Sequence, residues 1–179
     1  RCPNITGISG EINRLVVITC YDIQVLRYNW RLAMDTLIIY LSFYGNTGAI
    51  AERIENTLGK KAELRFFEDV KEKEIRSASL LIFGTPTHKY YSPSHMREFL
   101  DALPDSLFEN KLFCVFDTRY NQPIAKLGSA ALEISDRIKR RGGTELLPPE
   151  SFFVVDREGP LEDGEEQRAE EWARKIQTA

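Results

Sequence analysis

Five short apolar runs between residues 37 and 155 constrain this chain most. They are Leu37-Ile38-Ile39-Tyr40-Leu41, Leu64-Arg65-Phe66-Phe67, Leu80-Leu81-Ile82-Phe83, Leu112-Phe113-Cys114-Val115-Phe116 and Phe152-Phe153-Val154-Val155. An unbroken apolar run of this length reads as a strand buried on both faces, as parallel sheets require. The segments between the runs change period. Ile50, Ile54 and Leu58 share a helical face over 47–58, and a short polar helix fits about 70–76. Met96, Phe99, Leu100 and Leu103 fall at i, i+3, i+4 and i+7. Leu127, Ala131, Ile134 and Ile138 align over about 124–141, before the helix stop Gly142-Gly143. Ala169, Trp172, Ala173 and Ile176 mark a final helix. Strands alternating with helices predict an α/β domain, a parallel sheet with right-handed crossovers and helices on both faces.

The first 33 residues read differently. Their charges, Arg1, Arg14, Arg27 and Arg31 against Glu11 and Asp22, are net basic, whereas the rest of the chain is acidic. Leu15–Ile18 reads as a strand and Gln24–Ala33 as a short helix, without caps or partners, and no secretory-signal pattern is present. The expected division is an extension over 1–33 and one domain over 34–179. The chain as a whole carries 24 basic and 27 acidic residues, a balance that argues against nucleic-acid or anionic-membrane partners. No apolar run approaches the length of a membrane span. Three scattered cysteines form no disulfide framework, so a cytoplasmic location is expected.

In open parallel sheets ligands bind at the carboxyl ends of the strands. After the first run comes Ser42-Phe43-Tyr44-Gly45-Asn46-Thr47-Gly48, leading directly into a helix. Short polar side chains and a glycine at a helix N-terminus suit either an anion nest or an ordinary capped turn. With no Lys or Arg in the loop, neutral donors would hold a bound anion. After the third run comes Gly84-Thr85-Pro86-Thr87-His88-Lys89-Tyr90-Tyr91-Ser92-Pro93, and after the fourth Asp117-Thr118-Arg119-Tyr120-Asn121-Gln122-Pro123. Loop tyrosines beside a phosphate nest suggest a planar ring held between two walls. A P-loop would need a Lys, and a dinucleotide fingerprint a third Gly. A receiver domain would need acids where Ser42 and Gly84 stand, and a cysteine phosphatase a Cys in the first loop. With two histidines and no clustered loop carboxylates, neither a metal site nor a catalytic acid, base or nucleophile is expected.

Ser-Phe-Tyr-Gly-Asn-Thr after a strand resembles the phosphate loop of flavodoxins. Gly-Thr-Pro-Thr resembles the second flavin loop, notably in flavodoxin domains of flavodiiron proteins and in quinone reductases of the Trp-repressor-binding-protein type. Asp-Thr-Arg-Tyr is similar to the third. The resemblance covers about 35–177 and implies a short-chain flavodoxin-like three-layer sandwich, with a five-stranded parallel sheet in the order 2-1-3-4-5. It implies FMN as cofactor. Ser42, Asn46 and Thr47 would bind phosphate through side chains, and Tyr44 and Gly45 through backbone, with Phe43 in the same loop. Thr85, Pro86, Thr87, His88, Tyr90 and Tyr91 would form the inner wall of the ring. Tyr120 would form the outer wall, Asp117 would sit near the ribityl chain or ring edge, Thr118 would belong to the same loop, and Arg119 and Lys89 would lie unusually near the ring. Tyr44 stands where many flavodoxins have Thr.

The function so implied is an electron carrier exchanging one or two electrons with redox proteins that dock transiently at the flavin edge. The domain itself would be a monomer or weak dimer. The acidic stretch 156–171 would steer a basic partner. The alternatives are an NAD(P)H-dependent quinone reductase of the same fold and a cofactor-free interaction module.

Overall fold

The computed structural model describes residues 35–179. The strand expected at Leu15–Ile18 and the helix at Gln24–Ala33 lie outside the described residues. Six strand segments form one parallel sheet: β1 (Thr36–Tyr40), β2 (Ala62–Phe66), β3 (Leu80–Pro86), β4 (Leu112–Tyr120), β5 (Thr144–Glu145) and β6 (Glu150–Val154). The order is β2-β1-β3-β4-β5, with β6 also paired to β4. The expected order 2-1-3-4-5 therefore holds, with the fifth strand in two pieces. β5 lies beside Leu112 and Phe113, and β6 lies beside Phe116–Tyr120 along the same edge. Pro148 and Pro149 fall between the pieces. Proline has no N–H to give to a ladder, so the edge strand lifts off there and re-enters after it.

The helices are α1 (Asn46–Leu58), α2 (Glu72–Ser77), α3 (Ser94–Ala102), α4 (Ile124–Leu127), α5 (Ala130–Arg140) and α6 (Glu165–Thr178). Successive side chains of a strand point to opposite faces, and both faces here are apolar. Ile38, Ile82, Cys114, Phe116 and Phe152 meet Ile50 and Ile54 of α1 and Ala169, Trp172 and Ile176 of α6. Leu37, Ile39, Leu81, Phe83, Phe113 and Val115 meet Ile75, Met96, Leu100, Ile134 and Ile138 from α2, α3 and α5. The result is a three-layer sandwich. Among the described residues no helix is long and apolar enough to cross a membrane.

One helix expected over 124–141 is two. Gly128 sits at φ 67° between α4 and α5, and the Ser129 hydroxyl caps α5 by accepting from Leu132 N at 3.3 Å. A Cβ on Gly128 would lie 2.2 Å from Tyr90 O, so the break also lets the second loop lie against this junction. The periodicity of the apolar positions runs through the break unchanged, which is why the pattern alone joined the two helices.

Phe116 packs edge-on against Phe152 and Trp172, with centroids 5.8 and 6.0 Å away. Its ring also covers Gly84, where a Cβ would meet Phe116 Cζ at 2.2 Å. Gly84→Ala should therefore overpack this junction and cost about 1–3 kcal/mol in a denaturant titration.

Candidate functional site

Three loops at the carboxyl ends of β1, β3 and β4 enclose a cavity of about 870 Å³, within the range of ordinary small-molecule sites. The first loop ends at Gly45, whose φ of 90° is a left-handed turn that favours glycine. Ser42 Oγ accepts from Gly45 N at 3.0 Å and closes this turn. The first intrahelical bond of α1 runs from Ala49 N to Gly45 O at 2.8 Å. The N–H groups of Asn46, Thr47 and Gly48 precede it and have no carbonyl partner within the helix. No side chain caps this end, and no acidic residue occupies the first turn. The positive end of the helix dipole is thus open to an anion.

The hydroxyls of Thr47 and Thr118 lie 2.7 Å apart, joining the first loop to the third. Two hydroxyls in one bond leave one hydrogen free for a ligand. Asn46 Nδ2 donates to Glu158 O at 3.1 Å, fastening the 155–160 turn to the start of α1.

In the second loop His88 and Tyr91 exchange backbone bonds of 2.8 and 3.2 Å around Lys89 and Tyr90. Both central residues are left-handed, at φ 50° and 81°. Tight hairpin turns ordinarily place Asn or Gly there, so two side-chain-bearing residues store strain at the cavity rim. The turn is held by the parallel bridge from Tyr90 to Gly128.

In the third loop Asp117 is fully buried. Its Oδ2 accepts from Thr87 Oγ1 at 2.8 Å, Ser129 Oγ at 2.7 Å and Ala131 N at 3.1 Å. It therefore ties the second loop and the start of α5 to β4, and it does not line the cavity. Arg119 reaches the wall, but its guanidinium faces inward. Nε donates to Ser151 Oγ at 3.0 Å, Nη1 donates to the carbonyls of Tyr120 and Gln122, and the group lies over Phe153 at 5.3 Å. The Tyr120 hydroxyl donates to Asp156 Oδ1 at 3.4 Å. Partial burial and the neighbouring Asp156 charge raise its pKa.

Of the residues expected from sequence, the cavity brings together Ser42, Phe43, Tyr44, Asn46, Thr47, Pro86, Thr87, His88, Tyr90, Thr118, Arg119 and Tyr120. Gly45 shapes the turn behind the first loop. Thr85 is buried within β3, its hydroxyl without a partner among the described residues. Tyr91 turns outward and is 56% exposed. Sequence reasoning missed Pro93, Ser94 and His95 at the start of α3, together with Leu127, Val154 and Arg157. Arg157 follows β6, far from the first loop in sequence, and only the sheet order brings the two together. Lys89, expected near the ring, lines the cavity as well. Among the described residues the wall contains no Asp or Glu; its ionisable groups are His88, Lys89, His95, Arg119, Arg157 and the tyrosines. Cys114 lies in the core, where burial pushes its thiol up to about 12, so it offers no thiolate. Among the described residues no three metal-ligating side chains cluster.

The Flavodoxin domain family matches residues 37–123, a stretch that contains all three loops. A flavodoxin from the domain Archaea superposes with a TM-score of 0.68 at 24% identity, covering 81% of this chain and 97% of that one. This is a flavodoxin-like domain. Oxidised flavodoxin 1 from Bacillus cereus superposes with a TM-score of 0.65 at 18% identity, covering 79% and 95% of the two chains. The Flv1 flavodiiron core from Synechocystis gives 0.62 at 20% identity, covering 88% of this chain and 38% of that one. Among curated proteins none matches. The loops of this flavodoxin-like domain sit at the switch point where β1 and β3 diverge, as the general rule for such sheets requires.

Two outcomes follow for the loops. Asp117→Ala leaves three buried donors without an acceptor and should cost about 3–5 kcal/mol in equilibrium unfolding. Lys89→Gly relieves a left-handed side chain at the cost of chain entropy. It should raise stability by up to about 1 kcal/mol, read from the same unfolding midpoint.

Proposed function

We propose that this flavodoxin-like domain binds FMN and carries electrons between redox partners. The observation that carries this reading is one cavity whose wall combines two chemistries. An uncapped helix N-terminus with hydroxyl groups and the aromatic side chains of Tyr90 and Tyr120 line it together. The first suits a terminal phosphate and the second a planar ring. FMN supplies the one- and two-electron chemistry when bound, and the protein supplies binding, orientation and electrostatics. The N–H groups of Asn46, Thr47 and Gly48 and the Thr47–Thr118 hydroxyl pair would hold the phosphate. Tyr90 and Tyr120 would flank the ring and exclude water from its faces.

A redox partner would dock over the exposed side chains of Phe43, Tyr44 and Tyr90 at the cavity mouth. Much of the acidic stretch 156–171 is engaged internally. Glu165 is buried against Arg168, while Glu166 and Glu170 pair with Arg53. Steering by that edge would therefore fall to Asp156, Glu158, Glu162, Asp163 and Glu171, close to the mouth through the 155–160 turn.

The test is a titration of the apo-protein with FMN and with riboflavin, followed by visible absorption and flavin fluorescence. FMN should bind with a shifted spectrum and quenched emission. Thr47→Ala should weaken FMN about tenfold, the equivalent of one hydrogen bond to a charged group, and leave riboflavin nearly unchanged. Equal losses for the two ligands would remove the phosphate from the first loop.

A further inference from the structure

We propose that Arg157 is the cationic member of the phosphate subsite, binding the phosphate monoester of the flavin and selecting FMN over riboflavin. The inference rests on the reading of the cavity as an FMN site. It adds a charge where the first loop has only neutral donors.

Arg157 and the phosphate loop line the same cavity. Its guanidinium carbon lies 6.0 Å from the centroid of the Tyr44 ring, the residue before the Gly45 turn. The neighbourhood is rich in carboxylates, and the nearby arginines use them. Arg168 pairs with Glu150 and Glu165, and Arg53 with Glu166 and Glu170. Arg157 stands between Asp156 and Glu158 in sequence, yet its guanidinium pairs with no carboxylate among the described residues. Asp156 Oδ1 instead accepts from the backbone N–H of Arg157 at 2.7 Å.

The backbone that carries Arg157 is fixed from both sides. Val155 N donates to Pro160 O at 2.9 Å and Gly159 N to Asp156 O at 3.0 Å, which closes the turn. Glu158 O accepts from Asn46 Nδ2, the first residue of α1. Gly159 sits at φ 106°, and a Cβ there would lie 2.5 Å from Asn46 Oδ1. The turn is thus pressed against the helix end whose N–H groups are open. An arginine starting there and lying beside Tyr44 lines the same cavity as the open helix end, within reach of an anion bound there. A planar fork of N–H donors matches phosphate oxygens in pairs, and charge-assisted bonds of this kind are roughly twice as strong as neutral ones.

The experiment compares the wild-type chain with Arg157→Gln and Arg157→Lys. Each apo-protein is titrated with FMN and with riboflavin at low and moderate salt, and its thermal unfolding is recorded to show that the fold is unchanged. Arg157→Gln should weaken FMN about tenfold or more, leave riboflavin unchanged and flatten the salt dependence of FMN binding. Arg157→Lys should recover part of the loss. Unchanged FMN affinity in Arg157→Gln would overturn the proposal. So would a parallel loss for both ligands, since that result assigns Arg157 to packing on Tyr44. A wild-type chain that binds FMN while the variant is indifferent leaves the FMN reading standing and removes only this one. A wild-type chain that takes up neither flavin overturns both.

Discussion

The buried carboxylate of Asp117 is the contact on which the geometry of the site depends. A single oxygen accepts from the second loop through Thr87, from the cap residue Ser129 and from the first turn of α5 through Ala131. These groups come from two stretches of chain, the second loop and residues 129–131, which the carboxylate ties to β4. Thr87 Oγ1 then accepts from Ala130 N at 2.8 Å, so the same hydroxyl donates to the carboxylate and receives from the helix. With these bonds made, the strained Lys89–Tyr90 turn is held against Gly128 and the cavity has a fixed rim. Without them, the buried Asp117 carboxylate and its three donors would lose these bonds, a far larger penalty than the strain in the turn.

The sheet imposes a complementary constraint. Its strands are apolar on both faces, so no charge can project from its centre without losing its hydration. Polar chemistry is displaced to the strand ends, where the loops emerge. Even there the buried charges face inward: Arg119 is held by Ser151 and two backbone carbonyls, and Glu165 accepts from Phe153 N while pairing with Arg168. What remains open to a ligand is a set of N–H groups, hydroxyls, aromatic faces and a few cations. Such a wall can bind an anionic, planar molecule and orient it.

The five apolar runs were legible as strands because burial on both faces leaves no alternative composition, and their order followed from the loops' resemblance to flavodoxins. The three loops were legible because each sits where the period of the sequence changes. Other features were hidden for stated physical reasons. The split of the edge strand at Pro148 and Pro149 depends on missing N–H groups and leaves hydrophobicity unmarked. The break at Gly128 lies inside an uninterrupted helical periodicity, and only the approach of Tyr90 makes glycine necessary there. Asp117 and Arg119 read as ligand contacts because polar residues at strand ends commonly are. Asp117 turns inward to Thr87 and Ser129, 30 and 12 residues away, and Arg119 to Ser151, 32 residues away, partners that no local pattern marks.

The sequence by itself determined the layered architecture, the positions of the loops and the aromatic and hydroxyl character of the site, since these follow from local pattern and composition. Tertiary structure decided which polar residues face the cavity and which brace it. It also brought Arg157 from beyond the last strand to the rim of the first loop, more than a hundred residues earlier in the chain. Direction and proximity of that kind arise from packing and hydrogen bonding across the sheet. Residues distant along the chain share them without sharing any local signal.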